Sequence, residues 1–201
     1  RKIIQGTVVE GKDNYQVKAT GPCVLTGSPI KSTDFKEGMT KVFHNGIDKT
    51  LEEIKLSNIR GRGGAGFPMG FKLESCKNLN SELKFIICNA DEGDPGAYSD
   101  RYLLEEQPLL VLFGMMVSAY VTGAEWGILY IRAEYPEAVE IIENNIRSLY
   151  KESLLGENIL GSGFNFNFKV IKAQGAYICG EETALINSIE GQRPEVRTRP
   201  P

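Results

Sequence analysis

The stretch KFIICNADEGDPGAYSDR, residues 84–101, runs from a short apolar segment straight into an acidic loop rich in turn residues. Residues 84–89 read as a short strand. The loop that follows begins where that strand ends, the position at which open parallel sheets bind ligands. Downstream, residues 108–122 form a long apolar helix behind the loop, and residues 126–132 read as a second strand. Residues 136–150 carry Val139, Ile142, Ile146 and Leu149 at helical spacing, with Pro136 suited to a first helical turn. Residues 164–172 read as a third strand. A last helix is expected from near Glu181 to near Glu190, with Gly191 able to terminate it. The order β-α-β-α-β-α predicts an α/β fold: a Rossmann-like parallel sheet with helices on both faces.

Upstream of this unit, residues 1–45 show little helical periodicity and only short β-prone pieces at 7–10 and 15–19. They are expected to form a small irregular or β lobe, with the α/β domain occupying residues 46–201. Thr50 and Glu53 have the spacing of a capping box, and Leu51, Ile54 and Ile59 supply an apolar stripe for a short helix. That helix leads into GRGGAGFPMG, residues 61–70.

The 201 residues, 41% hydrophobic and 24% charged, suffice for one substantial core. A net charge of -3 without a basic tract argues against a nucleic-acid partner. The longest apolar run, residues 109–121, is broken by Gly114 and Ser118 and falls short of the ~20 residues that cross a bilayer. It is a buried helix, direct membrane insertion is not expected, and the N-terminal residues lack a secretory pattern, so the expectation is cytoplasmic. Cys23, Cys76, Cys88 and Cys179 are too dispersed for a disulfide framework or a metal pair and are expected as thiols. His44 is the single histidine and has no nucleophile partner in sequence, so nothing points to a hydrolase.

Three segments carry the candidate chemistry. Gly61, Gly63 and Gly66 fit G-x-G-x-x-G, yet a helix precedes them and Phe67-Pro68 follows, which is not the context of a dinucleotide fingerprint. The glycines, Gly64 included, still allow close backbone approach to a ligand. Arg62 and Lys72 beside them suit a phosphate, and Phe67 could offer a face to a planar ring. In the second segment Asp91, Glu92 and Asp94 crowd together at the strand end. Such clustering is disfavoured unless hydroxyls, amides or cations receive the charges. Asn89 can both donate and accept there. An acidic turn beside a helix start explains the same residues without a ligand. The third segment, residues 175–191, places Tyr177 in a glycine-bounded loop and Glu181 and Glu182 at a helix N-terminus, where acids also stabilise for local reasons.

Together GRGGAGFPMGFK, CNADEGDPGAYSDR and GAYICGEETALINSIEGQRPEVRTRPP resemble, in order and separation, the NADH-oxidising flavoprotein subunit of respiratory complex I and its relatives in NAD(P)-linked hydrogenases and formate dehydrogenases. The resemblance covers roughly residues 50–201. It implies an oxidoreductase module that holds FMN non-covalently, takes a hydride from NADH or NADPH and releases electrons singly to iron–sulfur clusters. By motif position it implies that Gly61, Arg62, Gly63, Gly64, Lys72, Asn89, Asp91, Glu92, Gly180 and Glu181 line the flavin. Tyr177 then borders the nicotinamide, Phe67 the adenine and Glu182 the ribose side. It implies a thioredoxin-like [2Fe-2S] partner subunit and a location in the cytoplasm, or peripheral to the inner membrane through partners.

This sequence departs from the family at Asp94, one methylene shorter than the usual glutamate, at Ser75, where a second adenine-stacking aromatic is common, and at Arg199, in place of lysine. These leave NADH against NADPH open. The chain stops at Pro201, before the expected remainder of the flavin pocket, a ubiquitin-like domain and a helical domain for a [4Fe-4S] cluster, so a truncated module is the expectation. Two alternatives compete. One is the flavoprotein-like subunit of an ion-pumping ferredoxin–NAD reductase, against which N-A-D-E-G-D-P-G at residues 89–96 speaks. The other is a non-catalytic scaffold, which would have no need of the glycine loop and its acids.

Overall fold

The computed structural model describes residues 27–62, 65–173 and 176–198. Among those residues two helices, α1 (Ser32–Leu56) and α2 (Met69–Asn78), precede strand β1 (Phe85–Ala90). Then follow α3 (Ser99–Glu106), α4 (Pro108–Thr122), β2 (Trp126–Arg132), α5 (Pro136–Lys151), β3 (Asn167–Ala173) and α6 (Glu182–Ile189). The three strands are parallel in the order β1-β2-β3, with Phe85 opposite Trp126 and Trp126 opposite Asn167.

Alternation along β2 divides the core into two faces. Leu129 and Ile131 point into the larger cluster with Leu112, Met116 and Ala119 of α4 and Ile142 of α5. Tyr130 points the other way, packing with Ala173, Cys179 and Leu185 beneath α6. Helices thus cover both faces, as the β-α alternation predicts. Each fully buried leucine or methionine of α4 contributes roughly 1.5–3 kcal/mol, which is why α4 is the axis of the larger core. Its ends are fixed chemically. Pro108 begins it, and Gly123, at φ 77°, closes it with an N–H bond to the Ala119 carbonyl at 2.8 Å.

At Gly127 the sheet and its neighbours approach closely: a Cβ there would lie 2.7 Å from the Phe166 ring and 2.8 Å from that of Phe168. α3 and α4 meet at 96° around the buried Gln107, whose Nε2 donates to the Gly27 carbonyl at 2.8 Å. No single helix among the described residues is long and apolar enough to cross a membrane.

The irregular lobe expected over residues 1–45 requires correction from Ser32 onward. Those residues are the first part of α1, and Phe35 and Met39, both fully buried, belong to the main core, where Phe35 meets Phe113 edge-to-face at 5.6 Å. The proposed start at Thr50 is likewise internal to α1. Gly46, at φ 76° and ψ 175°, interrupts the helix, and the Thr50 hydroxyl reaches back to the Val42 carbonyl at 3.5 Å. The β-prone pieces at 7–10 and 15–19 lie outside the described residues.

Candidate functional site

β1 delivers Asn89 to the carboxyl end of the sheet, and Asn89 binds the second and third motif segments together. Its Nδ2 donates to the Gly180 carbonyl at 3.0 Å, while its Oδ1 accepts from the Asp91 backbone N–H at 3.2 Å. A second contact ties the same segments. Gly93 lies against Tyr177, so close that a Cβ at position 93 would sit 3.0 Å from the Tyr177 ring. Tyr177, on the 3-10 turn Tyr177–Gly180, is 70% exposed and presents its ring above this junction.

The crowded acids separate into distinct roles. Glu92 is buried and its carboxylate is occupied by the start of α3 and its surroundings: it accepts from the Ser99 hydroxyl at 2.9 Å, the Asp100 N–H at 3.1 Å and the Arg101 N–H at 3.3 Å. The Tyr135 hydroxyl also donates to it at 3.5 Å. Glu181 does the same for α6, accepting from the N–H groups of Thr183 at 2.9 Å and Ala184 at 3.1 Å and from the Thr183 hydroxyl at 2.5 Å. For these two carboxylates the helix-start explanation therefore holds.

Asp91 differs. It is only 6% exposed, and neither carboxylate oxygen has a hydrogen-bond partner among the described residues. Burial pushes its pKa up, Arg132 opposes that, and Glu134 adds to it. A buried carboxylate without a donor is costly unless a ligand supplies one. Asp94 and Glu182 are exposed, Asp94 in a turn where its carbonyl accepts from Ala97 N–H at 3.1 Å. Asp100 is raised to about 6, by burial first and then by the charge of Glu92. Cys88 is pushed up to about 12 by burial and, secondarily, by Asp100, so it is a packed thiol rather than a nucleophile.

The glycine segment folds as a closed loop. An isolated antiparallel bridge joins Arg60 to Pro68; Gly61 N–H donates to the Phe67 carbonyl at 2.8 Å and Arg60 Nη1 to the Gly66 carbonyl at 3.1 Å. α2 begins directly after it at Met69, so a helix does follow the loop, while the strand that a dinucleotide fingerprint requires does not precede it. Arg62 and Lys72 are exposed, and Phe67 stands half exposed in edge contact with Phe71 at 5.8 Å. Gly63 and Gly64 lie outside the described residues. The described hydrogen bonds of this loop run within it and to its immediate flanks, whereas those of Asn89 and the contact of Gly93 with Tyr177 join the other two segments.

Residues 54–201 match the family described as the Nuo51 FMN-binding domain. The chain belongs to that family. An NADH-quinone oxidoreductase subunit of Rhizobium meliloti (strain 1021) is 47% identical over 154 residues, 77% of this chain and 37% of the relative. The NAD-reducing hydrogenase HoxS subunit alpha of Cupriavidus necator is 41% identical over 194 residues, 96% of this chain and 32% of the relative. The crystal structure of an NAD+-reducing [NiFe]-hydrogenase in the air-oxidized state superposes with a TM-score of 0.72 at 35% identity, covering 88% of this chain and 28% of that one. This chain thus spans about a third of the length of the relatives it matches. The 194-residue match also carries the likeness into the first 45 residues, where the sequence motifs alone did not reach.

For this Nuo51-type domain the motif reading passes over Arg132, at the carboxyl end of β2. Its Nη1 donates to the Glu92 carbonyl and its Nη2 pairs with Glu134, with the guanidinium 5.7 Å from the Tyr135 ring centroid. The available signal is positional: Arg132 ends a strand of a parallel sheet, where ligands bind.

Proposed function

We propose that this domain binds FMN at the carboxyl ends of β1 and β2 and serves as the flavin-holding part of an NAD(P)H-oxidising module. The single observation carrying this reading is Asp91, a buried carboxylate lacking a donor among the described residues, beside the Asn89–Gly180 clasp. FMN offers what such a group needs, a chain of hydroxyls that donate, so the residues present fit the group. A hydrogen bond to a carboxylate is worth roughly 1.5–3 kcal/mol, enough to decide where the ribityl chain lies.

In this arrangement Asp91 would accept the hydroxyls, and Asn89 holds the Gly180 carbonyl beside them. Glu92 and Glu181, already committed to α3 and α6, contribute backbone rather than free carboxylates and hold the two loops rigid. Gly61, Gly63 and Gly64 with Arg62 and Lys72 would receive the phosphate end. The exposed Tyr177 and Phe67 supply aromatic faces for the nicotinamide and adenine, and Glu182 and Asp94 bound the nucleotide side. Bound FMN supplies two-electron acceptance from a nicotinamide and one-electron release to an acceptor. The acceptor would be an iron–sulfur relay, a [4Fe-4S] cluster and a thioredoxin-like [2Fe-2S] subunit, in a complex that is cytoplasmic or peripheral to the inner membrane through its partners.

Titrating FMN into the polypeptide extended to its relatives' length, followed by flavin fluorescence, tests the reading. Quenching that saturates at one FMN per chain, with anaerobic bleaching on adding NADH or NADPH, is the expected result. Unquenched fluorescence at every protein concentration would refute it.

A further inference from the structure

The Glu92 residue is held at both of its polar ends. Its carboxylate takes the N-terminus of α3 through Ser99, Asp100 and Arg101, while its carbonyl oxygen receives Arg132 Nη1 from the neighbouring strand. Arg132 is itself seated firmly: its side chain is 16% exposed, Glu134 holds Nη2, and Tyr135 lies against the guanidinium. Tyr135 is shared with Arg101, whose guanidinium stands 5.5 Å from the same ring. Two buried groups at this junction lack partners among the described residues, Arg132 Nε and the Asp91 carboxylate.

We infer that Arg132 is a positioning residue for the flavin site: it fixes the direction of the Glu92–Gly93 peptide and thereby the placement of Asp91 before it and Gly93, against Tyr177, after it. The inference rests on the proposed FMN site. A trans peptide is planar, so drawing the Glu92 carbonyl to Arg132 directs the Gly93 N–H to the opposite side. One guanidinium therefore orients a backbone donor and, through its charge, favours the ionised form of Asp91, the form that accepts from hydroxyls. Lysine keeps the charge and can reach the carbonyl, but without the planar fork that presents one nitrogen to the Glu92 carbonyl and the other to Glu134. The Glu92 carboxylate anchors the loop to α3 independently, so loss of Arg132 frees the carbonyl without releasing the loop as a whole.

The experiment uses the full-length flavoprotein with its partner subunits, as R132M, R132K, R132Q and E134Q. FMN affinity is read by flavin fluorescence after reconstitution, and the melting temperature is measured on the apoprotein. R132M is expected to weaken FMN binding about ten-fold or more, the loss of a charge-assisted hydrogen bond. R132K should stay within about three-fold of wild type and E134Q should match it, because both keep a cation that can reach the Glu92 carbonyl. R132M that melts lower but binds FMN like wild type would make Arg132 merely structural and overturn the inference. Should R132M fail to fold, the lysine and glutamine variants decide: tighter binding by R132K than by R132Q supports the inference, and equal binding overturns it. Failure of wild type itself to hold FMN would instead remove the flavin reading.

Discussion

Replacing Asp91 with asparagine should move the free and the flavin-loaded protein in opposite directions. Without ligand, Asp91 is a buried carboxylate with no donor to either oxygen among the described residues, and burial, the first cause of its raised pKa, disfavours the ionised form in the folded state. The asparagine side chain would have nearly the same shape and no charge. Relief of an unpaired buried acceptor, offset by the cost of the buried amide that replaces it, leaves a gain of about 1–2 kcal/mol. For a domain of this size each kcal/mol moves the melting temperature by roughly 2–4 °C, so D91N apoprotein should melt about 4 °C higher. With FMN present the sign reverses. Losing one or two charge-assisted bonds to ligand hydroxyls should raise the FMN Kd by about ten- to a hundred-fold. Paired differential scanning calorimetry and fluorescence titration on wild type and D91N read both effects. A D91N protein that is less stable when free and binds FMN unchanged would refute the argument, because Asp91 would then be satisfied within the protein.

Other changes test the scaffold around the site. G127A forces a Cβ to within 2.7 Å of Phe166 and should destabilise by about 1–3 kcal/mol, measured by urea unfolding. S99A removes a 2.9 Å hydroxyl donor to Glu92 and should cost about 1 kcal/mol, with FMN affinity falling only slightly. Asp100 has its pKa raised from 3.8 to about 6, so the folded state binds the proton more tightly than the unfolded chain. Its favourable contribution is complete below about pH 3.8 and lost as pH rises through about 6; D100N should flatten apoprotein stability across that window in thermal melts at a series of pH values.

Much of the fold is legible in the sequence because the inner elements are strongly patterned. α4 and β2 have the predicted bounds, Pro108–Thr122 and Trp126–Arg132, since a long, largely apolar helix that opens on proline and closes on glycine, and the short apolar strand after it, have few alternatives. α1 is obscured because its buried stripe before Gly46 is narrow, Phe35 and Met39 with partial help from Val42 and Phe43, amid charged residues and an Asn-Gly pair that reads as a turn. α3 escapes notice because its cap is Glu92, seven residues before Ser99, rather than an adjacent residue. β3 starts three residues later than expected, because Phe164 precedes it and Phe166 pairs with Gly156 in an isolated bridge.

The candidate site divides along the same line. Strand-end position picks out Asn89, Asp91 and Glu92 from sequence, but which acid is left free for a ligand depends on α3 folding back onto Glu92. Arg132 is invisible to motif reading because its partner, the Glu92 carbonyl, lies 40 residues away and carries no side-chain signature.

The proposed site puts FMN at the carboxyl ends of β1 and β2 with its hydroxyl chain on Asp91. A crystal structure of the extended polypeptide with FMN bound tests it most directly. A ribityl hydroxyl is expected within hydrogen-bonding distance of an Asp91 oxygen, with the flavin beside Asn89 and Gly180. Flavin density elsewhere, with Asp91 still lacking a donor, would contradict it.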